Sequence, residues 1–322
     1  MKIAIYGYGN IGRGVETSVK FHKDIELLCV FTRRDPATIQ TKSGVPVYSV
    51  NDILDYKDKI DVLIVCGGSA TELLEMTPEL TKNFNVVDSF DTHAKIPLHF
   101  ATVDKVAKES GHVALIAGGW DPGLFSVNRL YASAVLPEGK DYTFWGKGVS
   151  QGHSNVIKTI DGVLDACQYT VPIEEAVEAV RTGKMPELTA RQRHRRECFV
   201  VVTESADKTK IENEIRTMPN YFADYDTTVT FVTAEEFRKN YSEFSHGGMV
   251  IRTGKTSEKT HTIEYRLTLD SNPEFTSSAL LALARAVNKK YVRGEYGCIT
   301  MFDIAPADLS PLSDDELRAK IL

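Results

Sequence analysis

Six residues near the N-terminus, Gly7-Tyr8-Gly9-Asn10-Ile11-Gly12, constrain this chain more than any others. They follow a short apolar run, Lys2 to Tyr6, and precede a stretch of helical character, Val15 to Phe21. In a strand-turn-helix setting such glycines let the chain turn sharply, let backbone N–H groups approach a pyrophosphate, and let the helix pack closely. The anion would sit on the helix N-terminus, where unpaired N–H groups and the helix dipole both favour negative charge. Gly7, Gly9, Asn10, Ile11 and Gly12 are therefore expected to hold a dinucleotide.

Short apolar runs then alternate with helical patterns: Ile25 to Phe31, Asp61 to Cys66, Val86 to Asp88 and Val113 to Ala117. That rhythm predicts a parallel sheet. Val62 to Val65 and Val113 to Ile116 are continuously apolar, as central strands with helices on both faces must be. The fold class expected for residues 1–122 is α/β, a Rossmann-type doubly wound parallel sheet.

Beyond residue 123 the pattern changes. Thr262 to Leu269 sets Ile263, Tyr265, Leu267 and Leu269 on one face and polar residues on the other, as a half-exposed strand does. With further strands at Asp141 to Trp145, Ala166 to Thr170, Cys198 to Thr203, Thr228 to Val232 and Met249 to Thr253, and helices near 173–182 and 208–217, residues 123–272 read as an α+β domain with a mixed sheet. Pro273 to Lys290 carries Leu280, Leu283, Ala284 and Val287 along one helical stripe, so the helices of 273–322 are expected to pack back on the first domain.

Composition narrows the partners. At 322 residues the chain exceeds one average domain. A formal charge of -6 with no long Lys/Arg stripe argues against nucleic acid. The densest basic run, Arg191 to Arg196, leads into an apolar strand and reads as a solvated strand end or a ligand site. Five cysteines without a Cys-x-x-Cys pair suggest neither metal nor redox site, and fit a reduced, cytoplasmic protein. The first apolar stretch, Ile3 to Tyr6, is too short for a signal peptide or a span, so no membrane partner is expected.

At the end of the second strand, where an NAD-binding chain presents an acid to the ribose 2'-hydroxyl, this one has Thr32-Arg33-Arg34. A carboxylate would repel a 2'-phosphate, whereas guanidinium groups offer it charge-assisted donors, so NADP is the expected cofactor; the alternative is a pair of arginines solvating a loop. Gly67-Gly68-Ser69-Ala70-Thr71, at the carboxyl edge of the Asp61 strand, would admit the nicotinamide ribose. At the carboxyl ends of the next two strands stand Asp88-Ser89-Phe90-Asp91-Thr92-His93 and Gly118-Gly119-Trp120-Asp121-Pro122-Gly123, so Asp91 and Asp121 should face the crevice. Two carboxylates and an indole N–H beside a nicotinamide suit an ammonium-bearing substrate, since unit charges about 4 Å apart gain roughly 4 kcal/mol at an effective dielectric near 20. The plain alternative for Asp121 is a helix cap, with Pro122 at the first helical position.

Gly119-Trp120-Asp121-Pro122-Gly123, Thr143-Phe144-Trp145-Gly146, Ser150-Gln151-Gly152-His153-Ser154, Cys198-Phe199-Val200-Val201, Ile215-Arg216-Thr217-Met218-Pro219 and His246-Gly247-Gly248 carry a resemblance. Over essentially its full length the sequence resembles the meso-diaminopimelate dehydrogenases. The resemblance implies NADP-dependent oxidative deamination of the D-centre of meso-2,6-diaminopimelate to L-2-amino-6-oxopimelate and ammonia, a reversible step of lysine biosynthesis. It implies that Asp91 and Asp121 receive the ammonium and that Trp120 and Trp145 wall the reacting carbon. Gln151, Gly152 and His153 would line the substrate, and Thr170, Arg196, His246 and Asn272 would bind the distal carboxylate. A second domain serving substrate and dimerisation, in a homodimer, is implied as well. The base could be Asp91, Asp121 or a water near His153. Two rival readings are an inactive NADPH sensor and another two-domain NADP oxidoreductase of sugar or homoserine dehydrogenase type. The Glu-Lys-Pro of the sugar enzymes is absent, the comparable region being Thr92-His93-Ala94-Lys95-Ile96-Pro97.

Overall fold

The computed structural model describes residues 1–69, 71–241, 243 and 245–322, so Ala70 lies outside the described residues. The chain forms two compact units, Met1–Val127 with Pro273–Leu322, and Asn128–Asn272.

The first unit holds strands β1 (Lys2–Tyr6), β2 (Glu26–Thr32), β3 (Val47–Ser49), β4 (Val62–Val65), β5 (Val86–Asp88), β6 (Val113–Leu115) and, far along the chain, β14 (Gly297–Ile299). They form one sheet in the order β14-β6-β5-β4-β1-β2-β3, with every neighbouring pair parallel. Read from the other edge this is the 3-2-1-4-5-6 order of dinucleotide-binding sheets with one added strand. The helices are α1 (Asn10–Val19), α2 (Leu73–Thr81), α3 (Ile96–Ser110), the start of α4 (Leu124–Val135), α10 (Asn272–Val292) from its second residue, and α11 (Asp314–Lys320).

Period-two alternation explains why the central strands are apolar throughout. Ile3, Ile5, Val62, Ile64 and Leu115 enter one core with Leu280, Leu283, Ala284 and Val287 of α10. Ala4, Leu63, Val65, Ala114 and Ile116 enter the opposite core with Leu73 and Leu80 of α2 and Val103 and Ala107 of α3. Each leucine or isoleucine so buried contributes roughly 1.5–3 kcal/mol.

The second unit holds β7 (Gly139–Trp145), β8 (Gly148–Val149), β9 (Val163–Pro172), β10 (His194–Val202), β11 (Asp226–Phe231), β12 (His246–Thr256) and β13 (Lys259–Leu269). Its short helices are α5 (Gln151–Ile157), α6 (Glu174–Arg181), α7 (Ala190–Arg193), α8 (Lys208–Thr217) and α9 (Ala234–Asn240). The strands divide into two sheets, a mixed one ordered β11-β10-β9-β8 and an antiparallel one ordered β13-β12-β7. Along β13 the alternation buries less than its pattern suggests: Lys259 to Glu264 are exposed, Tyr265 and Leu267 half-buried, and only Leu269 is buried. Among the described residues, no helix is long and apolar enough to cross a membrane.

Candidate active site

The three glycines of the N-terminal turn are there for three different reasons. Gly7 has φ +97°, and a Cβ on it would lie 2.7 Å from the Cys66 carbonyl oxygen. A Cβ on Gly12 would run into the Gly7 carbonyl and come 3.2 Å from Ile5 Cγ2, so that glycine lets α1 sit against β1. Nothing lies within 4 Å of the same position on Gly9. Gly9 precedes α1 with no side-chain cap, which leaves first-turn N–H groups and open space for a phosphate.

The rim of this cradle is tied together. Tyr8 is buried and its hydroxyl donates to Glu16, whose other oxygen accepts from Ser43 N and Oγ at 2.6 Å each. Arg34 Nη2 donates to the Tyr8 carbonyl at 2.8 Å, and Arg34 N to Thr32 Oγ1 at 3.1 Å. Arg33 is exposed and paired with Glu72, which the sequence reading did not single out. Glu72 Oε2 also accepts from Gly68 N at 2.6 Å, and these partners hold its carboxyl below the usual range. Gly68 and Arg33 therefore already bind an anion, the chain's own. Ser69 Oγ accepts from Asp91 N at 2.8 Å and Thr92 N at 3.2 Å, coupling the loop after β4 to the loop after β5. Thr71 is exposed next to it.

Asp91 is exposed on the loop after β5. Trp120 is buried, edge-on to Phe125 with ring centroids 5.2 Å apart. Leu124 N donates to Gly119 O at 3.1 Å and Phe125 N to Trp120 O at 2.7 Å, so the loop's own carbonyls satisfy the start of α4. That helix begins at Leu124, which overturns the placement of Pro122 at its first position. Asp121 lies in the loop, half-buried.

In the second unit, alternation along β10 turns His194, Arg196, Cys198 and Val200 to the buried side and Arg195 outward. Arg196 faces Thr170 directly in the β9–β10 register and donates to its hydroxyl. Its guanidinium stacks 3.9 Å over the Tyr225 ring, and its Nε has no partner. Among the described residues no carboxylate pairs with it, and burial lowers its pKa. Gln168, wholly buried, has an unpartnered Oε1, and its Nε2 lies 3.4 Å from Thr170 Oγ1. Gly148 also pairs with Thr170, and a Cβ on Gly148 would come 2.6 Å from His246 Cγ, so the glycine makes room for that imidazole. Gln151 and Gly152 open α5; Gln151 Nε2 is buried without a partner and Gly152 is exposed. His153 Nδ1 lies 2.7 Å from Ser150 Oγ, and burial, with Arg196 adding to it, lowers its pKa to about 4. Trp145 ends β7, and Asn272 is the first residue of α10. Arg196, Thr170, His153 and His246 thus gather around the β8–β9–β10 edge, together with Tyr225 and Gln168, which sequence reasoning missed.

A parallel sheet with an uncapped glycine turn, and acidic loops at the carboxyl ends of its strands, defines a dinucleotide-dependent oxidoreductase with a separate second unit. Residues 119–271 match the family described as Diaminopimelic acid dehydrogenase C-terminal domain. The chain is 56% identical over 326 residues to a meso-diaminopimelate D-dehydrogenase of Acetivibrio thermocellus, covering 100% of this chain and 98% of that protein. It is similar to the solved structure of Corynebacterium glutamicum DAP dehydrogenase in complex with DAP, with TM-score 0.94 and 44% identity over 100% of this chain and 99% of that one. An engineered D-amino acid dehydrogenase bound to NADP+ gives TM-score 0.89 and 43% identity, over 100% and 99%. The chain belongs to the diaminopimelate dehydrogenase family; it is an oxidoreductase that works with a nicotinamide cofactor.

Proposed function

We propose that this enzyme uses NADP to deaminate the D-centre of meso-2,6-diaminopimelate oxidatively, giving L-2-amino-6-oxopimelate and ammonia, and that it runs in both directions within lysine biosynthesis. The observation that carries the reading is Arg196, a buried cation with a spare N–H and, among the described residues, no carboxylate paired with it. Leaving a charge buried and uncompensated costs several kcal/mol, which an incoming carboxylate would offset through bidentate hydrogen bonds. A substrate with a second, remote carboxylate supplies that anion.

Each end of the substrate then has its residues. Asp91 and Asp121 take the D-centre ammonium, and Trp120 shields the carbon that loses hydrogen. When bound, the nicotinamide supplies the hydride acceptor. One of the two carboxylates accepts the ammonium proton as the α C–H bond breaks; water then adds to the resulting substrate imine and ammonia leaves. Thr170, Arg196, His246, Asn272 and the turn Gln151-Gly152-His153 receive the L-end. His153, whose charged neighbour is Arg196, serves this end and is not the source of the base. Trp145 bounds the reacting carbon. Gly7, Gly9, Asn10, Ile11 and Gly12 hold the pyrophosphate; Thr32, Arg33 and Arg34 hold the 2'-phosphate; Gly67, Gly68, Ser69 and Thr71 flank the nicotinamide ribose.

We also propose a cytoplasmic homodimer. Five free cysteines fit a reducing compartment. Leu130, Tyr131, Val135 and Ile263 leave apolar surface on the second unit for a second copy. Incubation with NADP and each diaminopimelate stereoisomer tests the activity: NADPH absorbance should rise with the meso compound and stay flat with the L,L isomer. A flat trace with the meso compound rejects the proposal.

A further inference from the structure

We infer that Asp88 is a positioning residue, one that sets the spacing between the two loops carrying Asp91 and Asp121; the inference rests on those two residues holding the amine. Asp88 ends β5 and is fully buried. The β5–β6 pairing stops at Val87 and Leu115, so the N–H groups just beyond lose their ladder partners. The side chain of Asp88 replaces them. Its Oδ1 accepts from Phe90 N at 3.0 Å and from Ala117 N at 3.0 Å, and its main-chain oxygen accepts from Gly118 N at 2.9 Å.

Phe90 immediately precedes Asp91, and Ala117-Gly118 lead into Trp120-Asp121. One carboxylate oxygen therefore joins both substrate loops. The other oxygen is anchored from behind by Thr77 Oγ1 of α2 at 2.7 Å and His99 Nε2 of α3 at 2.9 Å. Four donors fill the two oxygens, the condition under which a buried carboxylate is tolerated. The His99 ring also packs on Phe90 with centroids 4.5 Å apart, so the anchor grips the loop directly. Ala117 itself sits at φ +56°, a left-handed conformation an alanine adopts only when its surroundings impose it. A Cβ on Gly118 would lie 2.9 Å from the Asp88 carbonyl oxygen, so the glycine is what lets the second loop come this close to the end of β5.

Three variants, Asp88→Ala, Asp88→Asn and Thr77→Val, separate positioning from mere support. Melting curves give the folded fraction, NADPH fluorescence gives cofactor affinity, and steady-state rates with meso-diaminopimelate give kcat and KM. Asp88→Ala should lose on the order of 100-fold in kcat/KM with NADPH affinity within about 3-fold, because small misplacements of reacting groups cost that much. Asp88→Asn, whose amide oxygen can still take both loop N–H groups, should recover most of it. Thr77→Val, which frees one anchor, should fall between. If folded Asp88→Ala keeps its kcat/KM, or loses cofactor affinity in parallel, the inference is wrong. If Asp88→Ala does not fold, unchanged kinetics in Thr77→Val overturns it equally. Full activity in Asp121→Asn would instead defeat the amine assignment itself, which leaves the two failures distinguishable.

Discussion

Trp145 and His194 hold each other twice: their rings stack at 5.4 Å and 25°, and the Trp145 main-chain N–H donates to His194 Nε2 at 2.8 Å. An imidazole nitrogen that accepts a hydrogen bond must be unprotonated. Burial, then Arg196 and Arg193, lowers the His194 pKa to about 3. Unfolded histidine titrates near 6.5, so the folded value is depressed. The stability this contributes is complete above pH 6.5 and is lost as pH falls toward 3, at up to about 1.4 kcal/mol per pH unit. His194→Gln, which keeps an acceptor but cannot titrate, should give a flatter plot of Tm against pH between 6.5 and 4. Parallel plots for the two proteins would count against this.

The glycine turn predicts a separation of folding from binding. Gly9→Ala meets no neighbour and should melt within a few degrees of wild type, yet, if the proposed pyrophosphate site is right, bind NADPH at least tenfold more weakly, because its methyl would enter the open space left for the phosphate. Gly12→Ala meets the Gly7 carbonyl and should lower stability by about 1–3 kcal/mol, the usual cost of overpacking. Calorimetry and NADPH titration of the two variants check it; equal loss of cofactor affinity without loss of stability in Gly12→Ala would contradict it.

Cofactor choice should respond to the double variant Arg33→Ala, Arg34→Ala. Hydrogen bonds to charged groups contribute about 1.5–3 kcal/mol each, so the ratio of kcat/KM for NADP over NAD should fall by roughly 100-fold or more. An unchanged ratio would remove the 2'-phosphate assignment.

Arg196→Leu should move stability and activity in opposite directions. Replacing buried charged groups by hydrophobes is often neutral or stabilising by about 1–4 kcal/mol, and among the described residues Arg196 leaves no paired carboxylate behind, so Tm should hold or rise. The kcat/KM for meso-diaminopimelate should fall about 100-fold or more, while simple D-amino acids lose far less. A variant that loses both substrates equally would show that Arg196 supports the fold and not the distal carboxylate.

Much of the first unit was legible because its signals are local. Val62 to Val65 serve two cores at once and can only be apolar, and the glycine turn lies within six residues. β3 and β14 escaped because Val47-Tyr48-Ser49 and Gly297-Cys298-Ile299 are not the continuous aliphatic runs that gave away the equally short β5 and β6. In the second unit the sequence located β7, β9, β10, β11, β12 and β13 but neither β8 nor the division into two sheets, since β12 finds β7 across about a hundred residues and nothing in either segment names the other. Arg196 stood out as a charge opening an apolar strand, whereas the Tyr225 ring beneath it comes from the stretch before β11 and left no local sign. Asp88 read only as a strand end, because its four partners come from α2, α3 and two loops.

The order in which the parts of the first unit leave the ribosome has a cost of its own. One of its two cores is closed by α10, which is synthesised only after residues 128–272. At 5–20 residues per second, the faces of Ile3, Ile5, Val62 and Ile64 wait roughly ten seconds or more for their cover. A nascent chain with that surface open is a natural client for a ribosome-associated chaperone, and a truncation before residue 280 should aggregate while the intact chain does not.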